Sequence, residues 1–154
     1  MQLVDYLGRL EEKIDNLEAN IAVIGLGYVG LPTAVAFHNA GFKVLGIDAS
    51  PDVINRLKNG SSQITEEVGM EIPNGPRWEV TSEFENSIEK CDLVIVCVPT
   101  PVDENLRPDI SAIESAMESI LMSINNDTKT VIILESTVQP GTTRSCIKLS
   151  SEKH

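Results

Sequence analysis

Apolar and polar positions along this chain follow two different periods. Over residues 1–18, Leu3, Tyr6, Leu7, Leu10, Ile14 and Leu17 recur at helical spacing with charges between them, which predicts an amphipathic helix. Two readings fit that helix: packing on the surface of its own domain, or a contact between two copies. Beyond it the pattern alternates. Short apolar runs, "IAVIG" (21–25), "FKVLGID" (42–48), "DLVIVCV" (92–98) and "KTVIILE" (129–135), predict strands buried on both faces, and "RWEVT" (77–81) predicts a weaker one. Between them lie helical patterns. One covers Tyr28–Ala40. Another opens at Ser50-Pro51, with Ser as cap and Pro at the first helical position, and stops near Gly60. A short helix is expected over Ser82–Lys90. Ile110–Ile124 carries Ile110, Ile113, Met117, Ile120, Leu121 and Ile124 on one face, and a last helix covers Gly141–Ser150. Ser61–Arg77 is long for a connection in an α/β unit and reads either as a functional loop or as a short helical insertion.

Strands that alternate with amphipathic helices pair in parallel, with helices on both faces of the sheet. The turn after the first strand gives that architecture a candidate purpose. In "NIAVIGLGYVGLPTAVAF" (20–37), Gly25, Gly27 and Gly30 have the spacing G-x-G-x-x-G, follow a strand and open a helix. Such glycines permit a tight turn, let a pyrophosphate approach the backbone, and let the helix pack close to the sheet. Gly25, Leu26, Gly27, Tyr28, Val29 and Gly30 are therefore candidate cofactor-binding residues. Asp48 ends the second strand, 18 residues after Gly30. A carboxylate there can accept both hydroxyls of an adenosine ribose and repels a 2'-phosphate, and Ala49, Ser50 and Pro51 offer no cation. NAD is thus expected in preference to NADP. The plainer reading of Asp48 is a turn residue at a strand end. The expected fold is an α/β, doubly wound Rossmann-type parallel sheet flanked by helices. It is preceded by the N-terminal helix (1–18), and the cofactor domain spans 19–154.

Composition narrows the partners. The 154 residues carry a net charge of −11, which argues against non-specific nucleic-acid binding and against an anionic membrane surface. Local backbone amides can still hold a phosphate on an acidic protein. No apolar run reaches the roughly 18 residues of a membrane span, and the N-terminus lacks a signal-peptide layout. Cys91, Cys97 and Cys146 fit no metal-ligand spacing; no metal is expected, and they read as small hydrophobes in a reducing, cytoplasmic setting.

Two further strand ends carry "VPTP" (98–101) and "ESTVQPGTT" (135–143). With "GLGYVGLP", in this order, they closely resemble the UDP-glucose/GDP-mannose dehydrogenase family of NAD-dependent nucleotide-sugar 6-dehydrogenases, from about Asn20 onward. "LEST" followed by "PGTT" is most similar to the branch acting on UDP-N-acetylhexosamines, UDP-N-acetylmannosamine or UDP-N-acetylglucosamine. The resemblance implies oxidation of a sugar C6 alcohol to a carboxylate in two NAD-dependent steps through a cysteine adduct. It puts Gly25 to Gly30 on the pyrophosphate and Asp48 on the ribose. Val98, Pro99, Thr100 and Pro101 would line the cofactor groove, Ser136 would contact the cofactor, and Thr137 would help hold a catalytic water. Without the resemblance, Thr100 and Thr137 read as turn formers beside proline and glycine.

Two departures qualify that expectation. Members often carry a basic residue five positions after the ribose-binding acid, where this chain has Val53. The family's catalytic cysteine, with its lysine and asparagine partners, the central dimerising helix and the nucleotide-sugar domain all match no segment here. Cys146 lies outside the cysteine motif. The chain is therefore expected to act as an N-terminal half that binds NAD without turning over, and as a homodimer when full length. The competing readings are a stand-alone dinucleotide-sensing module and the cofactor domain of a β-hydroxyacid or 6-phosphogluconate-type dehydrogenase.

Overall fold

The computed structural model describes residues 3–84, 87–102, 104, 107–124 and 129–151. Five short strands form one parallel sheet: β1 (Asn20–Ile24), β2 (Lys43–Ile47), β3 (Trp78–Thr81), β4 (Leu93–Val96) and β5 (Val131–Leu134), in the order β3-β2-β1-β4-β5. The chain steps outward from β1 to β3, then crosses back to the far side of β1 for β4 and β5. The direction of winding therefore reverses between β1 and β4. The register sets Ile24 level with Ile47 and Val96, and Val96 level with Leu134, so Gly25, Asp48, Cys97 and Glu135 emerge along one edge.

Strand parity divides the core into two layers. Ile21, Val23 and Val44 point to one face and pack with Leu31 and Val35 of α2 (Gly30–Ala40) and with Ile54 and Leu57 of α3 (Pro51–Lys58). Ala22, Ile24, Ile47, Val94 and Val96 point to the other and pack with Ile113, Met117 and Ile120 of α5 (Ser111–Ser123) and Cys146 of α6 (Thr142–Ser151). Helix ends follow local chemistry. Ser50 Oγ accepts from Val53 N at the start of α3, and α2 stops at Gly41 in the left-handed conformation (φ 114°). Asp109 Oδ1 accepts from Ser111 N at the start of α5, and hydrogen bonding to Ser111 holds the Asp109 carboxyl below its ordinary range. The segment 61–77 contains a short helical insertion, α4 (Gln63–Val68), before the chain returns to β3.

The structure corrects two expectations. The described residues of Ser82–Lys90 form turns and bends, not a helix, and residues 85 and 86 lie outside the described set. Thr81 Oγ1 accepts from Glu83 N, and Cys91 N donates to the Ile88 carbonyl. Phe84 and Ile88 reach the second core as anchors of a turn, and their i, i+4 spacing imitates a helix face. β5 is the other correction. It is an edge strand with Ile133 38% exposed, whereas the interior strand β4 is covered on both faces. Among the described residues no strand pairs with its outer side.

α1 (Leu3–Asp15) contacts the residues that lead into β4 and β5, at the end of the sheet opposite Gly25 and Asp48. Asp92 is its attachment point: Oδ1 accepts from Lys13 Nζ at 2.6 Å, and Oδ2 accepts from the Asn20 amide at 3.0 Å. The Tyr6 hydroxyl donates to the Lys129 carbonyl, and burial, followed by the Asp92 charge, raises its pKa. Leu10 is buried while Leu7, Ile14 and Leu17 stay exposed. Among the described residues no helix is long and apolar enough to cross a membrane.

Asp92→Ala removes two acceptors and strands the Asn20 amide. It should destabilise the fold by about 1–3 kcal/mol. Lys13→Met, at a half-exposed ion pair, should cost at most about 1 kcal/mol. Urea denaturation of both variants checks the order; equal losses would mean that the ion pair, not the amide contact, fastens α1.

Candidate functional site

Between the emerging strand ends lies a cleft of about 760 Å³, within the usual range for small-molecule and cofactor sites. Gly25 has φ +86°, and a Cβ there would stand 2.8 Å from the Cys97 carbonyl oxygen. A Cβ on Gly30 would overlap the Gly25 carbonyl oxygen and come within 3.1 Å of Cys97 Cβ. Gly27 differs: it lines the cleft, and a Cβ there meets nothing within 4 Å. The three glycines thus have separate physical reasons, a left-handed turn, an open approach and a helix start packed against β4.

Leu26 is buried at 2%, so its side chain belongs to the core, packed over Gly46 in the middle of β2. Its amide donates to Asp48 Oδ2 at 2.8 Å, while Asp48 Oδ1 accepts from the Ser50 amide at 2.9 Å. Asp48 therefore ties the glycine turn to the end of β2 and still faces the cleft, with a second lone pair on each oxygen. Among the described residues, the amides of Gly27, Tyr28, Val29 and Gly30 make no hydrogen bond. They are the unpaired donors at the start of α2, where the helix dipole is positive. Orphan amides, an open Gly27 and a carboxylate at the next strand end fit a dinucleotide phosphate and its ribose.

Across the cleft, β4 and β5 continue into the two proline-containing motifs. Pro99 and Pro101 have no N–H to extend the sheet ladder. Hydroxyls join the loops instead: Ser136 Oγ donates to the Val98 carbonyl at 2.7 Å, and Thr100 Oγ1 donates to the Thr137 carbonyl at 3.0 Å. Val98, Pro99, Thr100, Ser136 and Thr137 all line the cleft. The Thr137 hydroxyl has no protein partner among the described residues. Pro101 lies outside the cleft lining; its carbonyl accepts from Asp109 N in the loop closed by the Val102–Pro108 bridge. Val53 sits against the first core layer, not at the cleft.

The structure adds lining residues that sequence reasoning missed. Ala112, Ser115, Ala116 and Ser119 form one small-residue face of α5, and Phe84 and Glu135 complete the wall. Their i, i+3, i+4, i+7 spacing was a readable signal, masked by the stronger apolar face beside it. Cys97 also lines the cleft, and burial, with Glu135 beside it, pushes its thiol up to about 11. Burial and Asp92 likewise push Cys91 up to about 11, and burial and Glu114 raise Cys146. Thiols so shifted stay protonated at neutral pH and are poor nucleophiles.

A parallel sheet with a glycine turn and a strand-end carboxylate at its switch point defines a Rossmann-type dinucleotide-binding domain. The chain belongs to the UDP-glucose/GDP-mannose dehydrogenase family: residues 19–154 match the family's NAD binding domain, and NAD is the cofactor of that domain. It is 37% identical to UDP-N-acetyl-D-mannosamine dehydrogenase of Methanococcus vannielii, over 86% of this chain and 32% of that protein. It is also 37% identical to UDP-N-acetyl-D-glucosamine 6-dehydrogenase of Salmonella typhi, over 86% of this chain and 30% of that one. The solved UDP-N-acetyl-mannosamine dehydrogenase Cap5O from Staphylococcus aureus superposes with a TM-score of 0.70 at 32% identity, covering 88% of this chain and 33% of that one. The chain spans about a third of the length of the curated relatives it matches.

The two inner glycines should respond differently to alanine. Gly30→Ala forces apart the turn and α2 and should lower stability by about 1–3 kcal/mol, as overpacking does. Gly27→Ala should leave stability within about 0.5 kcal/mol yet weaken NAD by about tenfold or more, since its methyl group occupies the approach to the amides. Thermal unfolding and calorimetric titration separate the two; normal NAD binding by Gly27→Ala would remove the turn from the site.

Proposed function

We propose that this chain is the cofactor domain, residues 19–154, of an NAD-dependent dehydrogenase that oxidises the C6 alcohol of a UDP-N-acetylhexosamine to the carboxylate. UDP-N-acetylmannosamine and UDP-N-acetylglucosamine are the expected substrates. The observation that carries the cofactor half is the pairing of unbonded turn amides, three of them on the cleft-lining residues Gly27, Tyr28 and Val29, with Asp48 in one cleft. The substrate half is supported by the likeness to relatives that carry those names. The overall change consumes one water and two NAD for each sugar, and each NAD, when bound, accepts one hydride.

The chain's own residues have distinct parts. The amides of Gly27 to Gly30 hold the pyrophosphate, and Asp48 accepts from the adenosine ribose while keeping the turn closed. Val98, Pro99 and Thr100 wall the groove, with Pro101 bracing the loop behind them. Ser136 holds its loop against β4 beside the cofactor. Thr137 presents a hydroxyl, without a protein partner among the described residues, that can both donate to and accept from a water between the sugar and the cofactor. The three thiols, all with raised pKa values, do not supply the covalent step, which is assigned to a cysteine outside these residues. A cytoplasmic homodimer completes the proposal, in keeping with three free cysteines.

Two measurements test it. Calorimetry should give tighter binding of NAD than of NADP, and Asp48→Ala should weaken NAD by about tenfold or more, the range of a hydrogen bond to a charged group. Equal affinity for the two cofactors would remove Asp48 from the ribose. In the enzyme that carries this domain, assayed with both UDP-N-acetylhexosamines, Thr137→Ala should lower kcat by about 10–1000-fold. NAD affinity should change by less than about tenfold, because the hydroxyl acts by positioning. Thr137→Ser should recover much of the rate. Normal turnover by Thr137→Ala would leave the residue as a turn former.

A further inference from the structure

The insertion between α3 and β3 reaches the glycine turn. Tyr28, in the middle of that turn, is 65% exposed, yet its hydroxyl is engaged: it donates to Glu67 Oε2 of α4 at 2.9 Å. The other carboxylate oxygen, Oε1, accepts from Gln63 Nε2 one helical turn earlier, at 3.2 Å. Each oxygen of Glu67 thus has one donor, and the carboxylate is oriented before any ligand arrives. The Glu67 hydrogen bond, the largest cause, and its charge both raise the Tyr28 pKa, so the phenol stays a donor at neutral pH.

α4 is itself anchored from behind. Ser62 caps it, with its Oγ accepting from the Ile64 amide and its carbonyl accepting from Thr65 Oγ1. Ile64 and Thr65 are buried, and Met70 and Ile72 pack on the first core layer. The turn is fixed by the close packing at Gly25 and Gly30 on its sheet side, by Asp48 accepting from the Leu26 amide, and by Thr33 Oγ1 donating to the Val29 carbonyl. Beyond those restraints, the Tyr28–Glu67 bond is the side-chain contact that joins the middle of the turn to the insertion.

We propose that Glu67 is a positioning residue for the cofactor. Acting through Tyr28, it holds the phosphate-binding turn and the aromatic wall of the cleft in the bound arrangement. The insertion thereby has a role in the site that its distance in sequence conceals. The physical basis is pre-organisation: a turn already restrained loses less conformational freedom when it takes up a pyrophosphate. The proposal rests on the reading of the cleft as the NAD site.

Calorimetric titration of the 154-residue chain with NAD tests both levels. Wild type that gives no NAD binding would overturn the site reading itself. With wild-type binding in hand, Glu67→Ala and Tyr28→Phe should each weaken NAD by about 3- to 10-fold, the scale of one exposed, charge-assisted hydrogen bond. Glu67→Gln, whose amide oxygen still accepts from Tyr28, should recover most of the loss. The double variant Glu67→Ala/Tyr28→Phe should bind within about twofold of the weaker single variant, because both remove one interaction. Thermal unfolding should be nearly unchanged in all of them, since both side chains are at the surface. Unchanged affinity in Glu67→Ala, no recovery in Glu67→Gln, or losses that multiply in the double variant would each overturn the proposal.

Discussion

One contact sets the geometry of the site: the point where the backbone of Gly25, the first residue of α2 and the end of β4 meet without side chains between them. The Gly25 carbonyl occupies the volume that any Cβ at position 30 would need, and the Cys97 carbonyl closes on Gly25 from the other side. This close approach lets α2 begin directly over the sheet, with the unbonded amides at its start in a turn whose Gly27, Tyr28 and Val29 line the cleft. A helix set a few ångströms higher would present the same amides to solvent, away from the carboxylate of Asp48.

Asp48 converts that steric arrangement into an electrostatic one. On a chain with net charge −11, an anion is not drawn in by overall charge. Attraction has to come from short-range dipoles, and these are supplied by amides whose direction Asp48 helps fix through the Leu26 bond. At the other end of the sheet Asp92 plays a comparable structural part, holding the Asn20 amide and Lys13 together. β1 is therefore tied at both ends by carboxylates accepting from backbone amides, one serving the cleft and the other serving α1.

Much of this was legible in residue order because the signals were local. The glycine spacing, the Ser50-Pro51 start and the apolar runs each depend on a few neighbouring residues, and β1, α3 and β4 appear where those patterns lie. The differences arise where tertiary context decides. Phe84 and Ile88 satisfy a helical spacing, yet the described residues between Thr81 and Cys91 form turns and bends, which can seat the same two anchors. "VIIL" is as apolar as any interior strand, and only its place in the strand order leaves Ile133 exposed. The place of Asp48 at a strand end was readable from its neighbours, while its bonds to Leu26 and Ser50 depend on the three-dimensional closeness of two strand ends. The Glu67–Tyr28 bond spans 39 positions and has no signature in sequence at all.

The position of β5 also bears on how this chain behaves with its own copies. An apolar strand with no strand paired to its outer side among the described residues is a template for intermolecular pairing, the first step of ordered aggregation. Lys129 and Glu135 stand just before and just after it, where charges act as gatekeepers against such growth. Colloidal behaviour at high concentration, more than resistance to unfolding, is the property that this edge governs. It should be sensitive to salt, which screens the repulsion between highly acidic copies.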